Sequence, residues 1–428
     1  MKFKKGELML LIKDGRVLGV SAESADVLVK DGRIAAISES IQETDGMAVL
    51  DAAGLIVAPG LVDMHTHFRD PGFEYKEDIL TGASAAAAGG VTTCCCMPNT
   101  SPTADNADVV GYIIDKAKDA HITVLPYGAV TIGQEGVDLT DFAALKAAGA
   151  IALSDDGNSI QNARLMHIAL QLAREMDLLI ISHCEDAEMA QNYAVNEGKV
   201  SWELMLPGRP AIAEEIMVAR DAMIAAKTGA RLHIAHVSTA RSVDIIRKAK
   251  EAGVKITAET CPQYFALTED EVLKQGALAR VNPPLRTKED AEAIIAGLAD
   301  GTIDAIATDH APHSADEKAL PLPNAPSGMI GLETSLALAL TYLYHAGRLS
   351  IEEVIALMST NPARILGLDS RQLIEGAAAD IAIFDPEKEW TVKPDKFKSK
   401  ARNTPFGGMK LKGKVIYTIS RGELVYKD

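Results

Sequence analysis

Between residues 58 and 365 the chain alternates short, continuously apolar runs with longer segments whose apolar positions recur at helical spacing. Eight runs read as buried strands: Leu55–His65, Gly90–Pro98, Ile122–Ala129, Ala150–Asp155, Leu178–His183, Arg231–His236, Lys255–Thr260 and Thr302–Thr308. The stretches between them, such as "TGASAAAAGG", "DVVGYIIDKAKDA", "ARLMHIALQLAREMD", "AIAEEIMVARDAMIAAKTG" and "SVDIIRKAKEAG", are rich in good helix formers. Strands buried on both faces and separated by helices belong to parallel βα units. Eight units in series predict a (β/α)8 TIM-type barrel. A doubly wound open sheet usually carries a glycine-rich phosphate turn, and none is present. The two ends read differently. Residues 1–57 are short strand-like runs broken by Asp-Gly turns, and the tail returns to that texture in "ADIAIFDPEKEWTV" and "GKVIYTISRGELVYKD". The expected organisation is therefore a composite β-sandwich domain from residues 1–57 plus 366–428, and a barrel from 58–365.

Composition narrows the function. The chain has 428 residues, long enough for a barrel of ~250 residues and a second module. A net charge of −16 repels phosphates, so no nucleic-acid partner is expected, and the only basic runs are short ones such as Lys393 to Lys400. No apolar run approaches the ~20 residues that span a bilayer. Five cysteines, three of them adjacent (Cys94, Cys95 and Cys96), form no disulfide framework, and a reducing cytoplasm is the expected compartment. Alternate side chains on a strand face opposite ways, so the triplet reads as small buried hydrophobes and not as a metal site.

The polar residues at the strand ends carry the chemistry. A barrel gathers its active site at the C-terminal ends of its strands. His65 and His67 end the first, Asn99 follows the second, and Asp155 and Asp156 close the fourth. His183 ends the fifth, His236 the sixth, and Asp309 follows the eighth. Residues two apart on a strand share a face, so His65 and His67 form a chelating pair. Four histidines with carboxylates suit Zn²⁺ or a similar borderline metal. His121, His167 and His345 read as surface or satisfied core. His233, three residues before His236, should point away from it and reads as structural.

The motifs "PGLVDMHTHFRDPG", "MPNTSPTADN", "SDDG", "SHCED", "HIAHVST", "NPPLR", "TDHAPH" and "NTPFGG", in order along essentially the whole chain, resemble those of the dihydroorotases within the amidohydrolase superfamily. The resemblance implies a metal-dependent barrel with a composite β domain. It implies reversible cyclisation of N-carbamoyl-L-aspartate to L-dihydroorotate in pyrimidine biosynthesis, by a metal-activated hydroxide with Asp309 as general acid and base. His65, His67 and Asp309 resemble the ligands of a first metal, and His183 and His236 those of a second, with one or two Zn²⁺ per subunit. Many relatives bridge the metals with a carboxylated lysine. Here "ALSDDGNS" offers no lysine, as in the long bacterial dihydroorotases, where an aspartate bridges. Asp156 aligns best with that ligand, and Asp155 is the alternative.

The same resemblance makes Arg69 a clamp for the substrate carboxylate. It makes Asn99, Asn282 and His313 further substrate contacts, with the backbone around Ser327 and Gly328 against the ring. "ETCPQYFAL" stands where several relatives carry histidines, a difference expected to lie outside the metal ligands. A homodimer is the expected assembly, and an aspartate carbamoyltransferase is a candidate partner. Two other readings stay open: an allantoinase- or hydantoinase-like cyclic amidohydrolase, and a non-catalytic scaffold relative. The first normally keeps the bridging lysine; the second tends to lose ligands that this chain retains.

Overall fold

The computed structural model describes residues 9–369 and 371–428. Eight short parallel strands form the barrel wall. Leu61–Thr66, Val91–Cys96 and Thr123–Pro126 pair in sequence order. Leu153–Ser154, Ile180–Ser182, Leu232–Ile234, Ile256–Thr260 and Ala305–Ile306 pair in the same way. Parallel bridges between Gly128 and Leu153, and between Thr66 and His310, join the two sets and close the ring. The helices pack outside it over one large apolar cluster that includes Ala83, Ile113, Leu170, Val218 and Ile246.

The apolar run at Leu55–His65 is not one strand. Ile56–Pro59 pairs with Met9–Val17 and Ile381–Thr391 in the terminal sheet, and Leu61–Thr66 enters the barrel. Gly60 is the joint, and a Cβ there would lie 2.3 Å from Thr92 Oγ1, so the chain can pass that close only as glycine. Continuous burial hid the break, because both strands are buried throughout.

The terminal sheet has eight strands among the described residues. Its path runs Glu423–Lys427, Lys410–Ser420, Ile381–Thr391, Ile56–Pro59, Met9–Val17, Ala25–Lys30 and Arg33–Ser38, with Ala48–Asp51 added beside Met9–Val17. Val27, Val29 and Ile34 from one arm meet Ile381, Ile383 and Ile419 from the other in a core of their own. No helix among the described residues is long and apolar enough to cross a membrane.

The five cysteines are free and buried. Cys94 and Cys96 join the helix-facing cluster, and Cys95 joins the one containing Tyr127, as strand alternation requires. Burial pushes all three thiols up, which makes them poor ligands and poor nucleophiles.

Candidate metal centre and active site

The strands end where the polar residues begin. His67 lies one residue past Leu61–Thr66, Asp156 two past Leu153–Ser154, and His183 one past Ile180–Ser182. His236 lies two past Leu232–Ile234 and Asp309 three past Ala305–Ile306. Three residues of this rim, Arg69, His236 and Asp309, adopt the left-handed backbone region, at φ 63°, 34° and 49°. Such conformations cost roughly 1–3 kcal/mol each and persist where surrounding structure imposes them, often at functional sites.

Two groups of side chains could each hold a metal ion: His65 with His67 and Asp156, and Asp156 with His183 and His236. Asp156 is common to both. Its Oδ1 lies 3.4 Å from His65 Nε2, 3.5 Å from His183 Nδ1 and 3.3 Å from His236 Nε2, and its Oδ2 lies 3.4 Å from His67 Nε2. Ligands ~2.0–2.1 Å from a tetrahedral ion stand ~3.3–3.4 Å apart, so these are the separations of an ion's coordination edges. His65 Nε2 and Asp156 Oδ1 are buried and make no hydrogen bond. A buried polar atom left without a partner is costly, and a shared cation relieves both at once. The residues therefore fit a divalent metal pair.

Charge makes the same demand. Burial opposes ionisation of Asp156, yet His65, His183 and His236 hold its carboxyl well below the usual carboxylate range. A bound cation would hold the carboxylate ionised in the same way.

Asp155 points elsewhere. Its Oδ1 accepts from Val130 N at 2.8 Å and Thr131 N at 3.1 Å, and its Oδ2 accepts from the Thr131 hydroxyl. It fastens the loop after the third barrel strand, and burial pushes its carboxyl up to about 6.

Neighbouring groups fix the histidine tautomers. His65 Nδ1 donates to Glu259 Oε1 at 2.6 Å and His67 Nδ1 donates to Asn99 Oδ1 at 2.8 Å, leaving each Nε2 lone pair free to ligate. His183 is reversed: its Nε2 faces Asn282 Nδ2 at 3.3 Å and Glu185 Oε2 at 3.8 Å, and its Nδ1 points inward. Asp309 Oδ1 closes on the first pair, 2.9 Å from His67 Nε2 and 3.5 Å from His65 Nε2.

Glu259, inside "ETCPQY", is the partner the motifs left unassigned. It is fully buried, and despite that burial His65 and His233 hold its carboxyl down to about 2. His233 belongs to the same network, with Nε2 3.5 Å from Glu259 Oε2 and Nδ1 2.8 Å from Thr257 Oγ1. The expectation that it points away from the site assumed a regular strand as far as His236. The strand stops at Ile234, and the turn at His236 breaks the alternation. Glu259→Gln is expected to weaken metal binding ~10–100-fold with the fold retained, measured as metal content after dialysis against a weak chelator. Unchanged content would remove Glu259 from the centre.

The substrate-contact candidates divide. Arg69 Nε donates to Pro312 O at 3.3 Å and Nη2 lies 3.5 Å from His313 Nε2, while Asp70 instead accepts from the Tyr112 hydroxyl. Arg69 forms no ion pair among the described residues, whereas buried Arg209 is already paired with Glu185 at 2.9 Å. Asn282 accepts from Arg209 Nη1 as well as facing His183. A cavity of about 590 Å³ opens on this side, lined by His183, Glu185, Arg209 and Asn282 among others.

His313 Nε2 donates to Ser327 O at 2.8 Å. The expected backbone contacts at Gly328 are already committed: its N donates to Arg280 O, and its O accepts from Lys318 and Asn403. Gly328, at φ +133°, lets this segment pass Ala311, whose Cβ would sit 2.7 Å from an added one.

A family model described as dihydro-orotase-like matches residues 54–242. The chain is 49% identical to a dihydroorotase of Acetivibrio thermocellus and 50% identical to one of Citrifermentans bemidjiense, in each case over 98% of this chain and 99% of the relative. It is 50% identical to that of Clostridioides difficile, over 98% and 100%. Among solved structures, a dihydropyrimidinase from Brevibacillus agri superposes with TM-score 0.86 at 25% identity, over 98% of this chain and 95% of that one. An L-hydantoinase from Arthrobacter aurescens does so with TM-score 0.86 at 26% identity, over 98% and 96%. Those neighbours have a barrel and a β-sandwich domain, the architecture found here. With half its residues shared over nearly its whole length, the chain belongs to the dihydroorotase family of amidohydrolases.

Proposed function

We propose that the protein interconverts N-carbamoyl-L-aspartate and L-dihydroorotate, with two zinc ions held across Asp156. The observation that carries this reading is a single carboxylate shared by two ligand groups, beside an arginine that has no carboxylate partner among the described residues. Bound in those groups, a zinc pair would supply Lewis acidity toward a carbonyl oxygen and lower the pKa of water.

The chain supplies the rest. Asp309, beside His67, takes the proton of the attacking water in the ring-opening direction and returns it to the departing ring nitrogen. Ring closure runs through the same groups in reverse. Arg69 meets the ring carboxylate with a planar fork, which no carboxylate among the described residues engages. Asn99 spends its oxygen on His67, and its amide nitrogen is left to donate to substrate. Asn282 and His313 flank the same space from the His183 and Arg69 sides.

Arg69→Lys is expected to raise KM for L-dihydroorotate ~10–100-fold, because an ammonium forfeits about 1.5–3 kcal/mol of paired hydrogen bonding. The effect on kcat should be smaller, and an unchanged KM would take Arg69 out of the site. A hydantoinase-like activity is the alternative that the solved neighbours raise. Steady-state rates with L-dihydroorotate, dihydrouracil and hydantoin decide between the two. Turnover confined to L-dihydroorotate is expected, and preferred turnover of either uncharged ring would overturn the assignment.

A further inference from the structure

The basic run between Lys393 and Lys400 takes no part in the chemistry above. It forms one wall of a cavity of about 540 Å³ beside the terminal sheet, within the ~300–1,000 Å³ of small-molecule sites. Lys393, Lys396 and Lys398 line it from one side, and Lys388, Lys414 and Lys427 from the sheet. Lys388 and Lys414 each lie 3.3 Å from the carboxylate of Asp428. The other four lysines have no carboxylate partner among the described residues.

A concentration of unneutralised cations is unexpected in a chain of net charge −16. The other acid in the lining is Glu333. Burial pushes its carboxyl up to about 7, and its Oε1 is engaged by the backbone N–H groups of Lys398 and Ser399. A 3₁₀ turn at Pro394–Lys396, with Phe397 N donating to Pro394 O at 3.0 Å, fixes the segment that carries the lysines. The remaining wall is aromatic: Trp390, Phe397 and Tyr426 are half-buried against it. Trp390 is anchored by its Nε1 donating to Gly413 O at 2.8 Å, and Lys414 lies 4.4 Å from its ring centre.

We propose that this cavity is a binding site for a nucleoside polyphosphate, with the phosphates on Lys393, Lys396, Lys398 and Lys427 and the base against the aromatic wall. Lysine ammonium groups bind phosphate as point charges, and stacking on an aromatic side chain contributes ~1–3 kcal/mol per base without strong sequence preference. The recess favours a small ligand over a protein surface, because these lysines line one concave space.

The only other tryptophan, Trp202, is 82% exposed, so Trp202→Phe leaves Trp390 as the sole indole reporter in the zinc-loaded enzyme. Titration of that protein with ATP, UTP and inorganic tripolyphosphate, without added Mg²⁺, is expected to give saturable changes in Trp390 emission. ATP and UTP should bind at least ~10-fold more tightly than tripolyphosphate, the equivalent of one stacked base. Affinity should fall with added salt, and at least ~10-fold in the triple variant Lys393→Glu, Lys396→Glu, Lys398→Glu. Circular dichroism and L-dihydroorotate turnover of that variant, both expected unchanged, show that it is folded, and Lys427→Glu provides a second, milder test. Absence of saturable nucleotide binding would overturn the proposal. So would tripolyphosphate binding as tightly as ATP, or binding that survives both sets of charge reversals in folded protein.

Discussion

Asp156→Asn is expected to strip the enzyme of metal and activity together, and Asp155→Asn to do neither. Asp156 stands in both ligand groups, so an amide there removes the anionic charge that holds two cations close. Outer partners of metal ligands are worth ~10–100-fold in affinity. A ligand shared by both ions should cost more than that, and at unchanged zinc concentration the rate should fall with occupancy. Asp155 instead accepts three hydrogen bonds from Val130 and Thr131. Its replacement should lower stability by about 1–3 kcal/mol through unmatched buried donors, with metal content preserved. Zinc content and thermal midpoint of the two purified variants check both halves. Metal loss in Asp155→Asn with retention in Asp156→Asn would reverse the assignment.

Asp309→Asn should separate chemistry from binding. The carboxylate lies against His67 and His65, and the remaining residues of both ligand groups are untouched. Removing a positioned general acid–base group costs ~10²–10⁴-fold, so kcat should fall by that order while zinc stays largely bound. The loss should appear in both directions of the reaction, because one group moves the proton each way. A kcat within a few-fold of the parent would exclude Asp309 as the proton carrier.

Much of this centre was legible before any coordinates, because a barrel converts strand-end position into spatial proximity. His65, His67, His183, His236 and Asp309 were readable as a set for that reason, although separated by up to 244 residues. The pair Asp155 and Asp156 was not resolvable from pattern. The strand ends at Ser154, and the loop that follows decides which carboxylate turns inward. His233 and Glu259 were missed for a related reason. Their role depends on a bond between two different strands, and nothing local in "HIAHVST" or "ETCPQY" encodes it. The split at Gly60 was hidden because both strands it joins are fully buried, so apolar continuity carried no boundary. Arg209 carried no strand-end signal, since it reaches the site from a two-residue strand at Gly208–Arg209, where it pairs with Glu185 two residues after His183.

The central claim is a metal pair bridged by Asp156, and a crystal of the zinc-loaded enzyme measured across the zinc absorption edge tests it most directly. Two anomalous peaks are predicted, one among His65, His67 and Asp156 and the other among Asp156, His183 and His236, with one carboxylate oxygen or both touching the pair. A single peak, or two peaks with Asp156 bound to neither, would contradict the account.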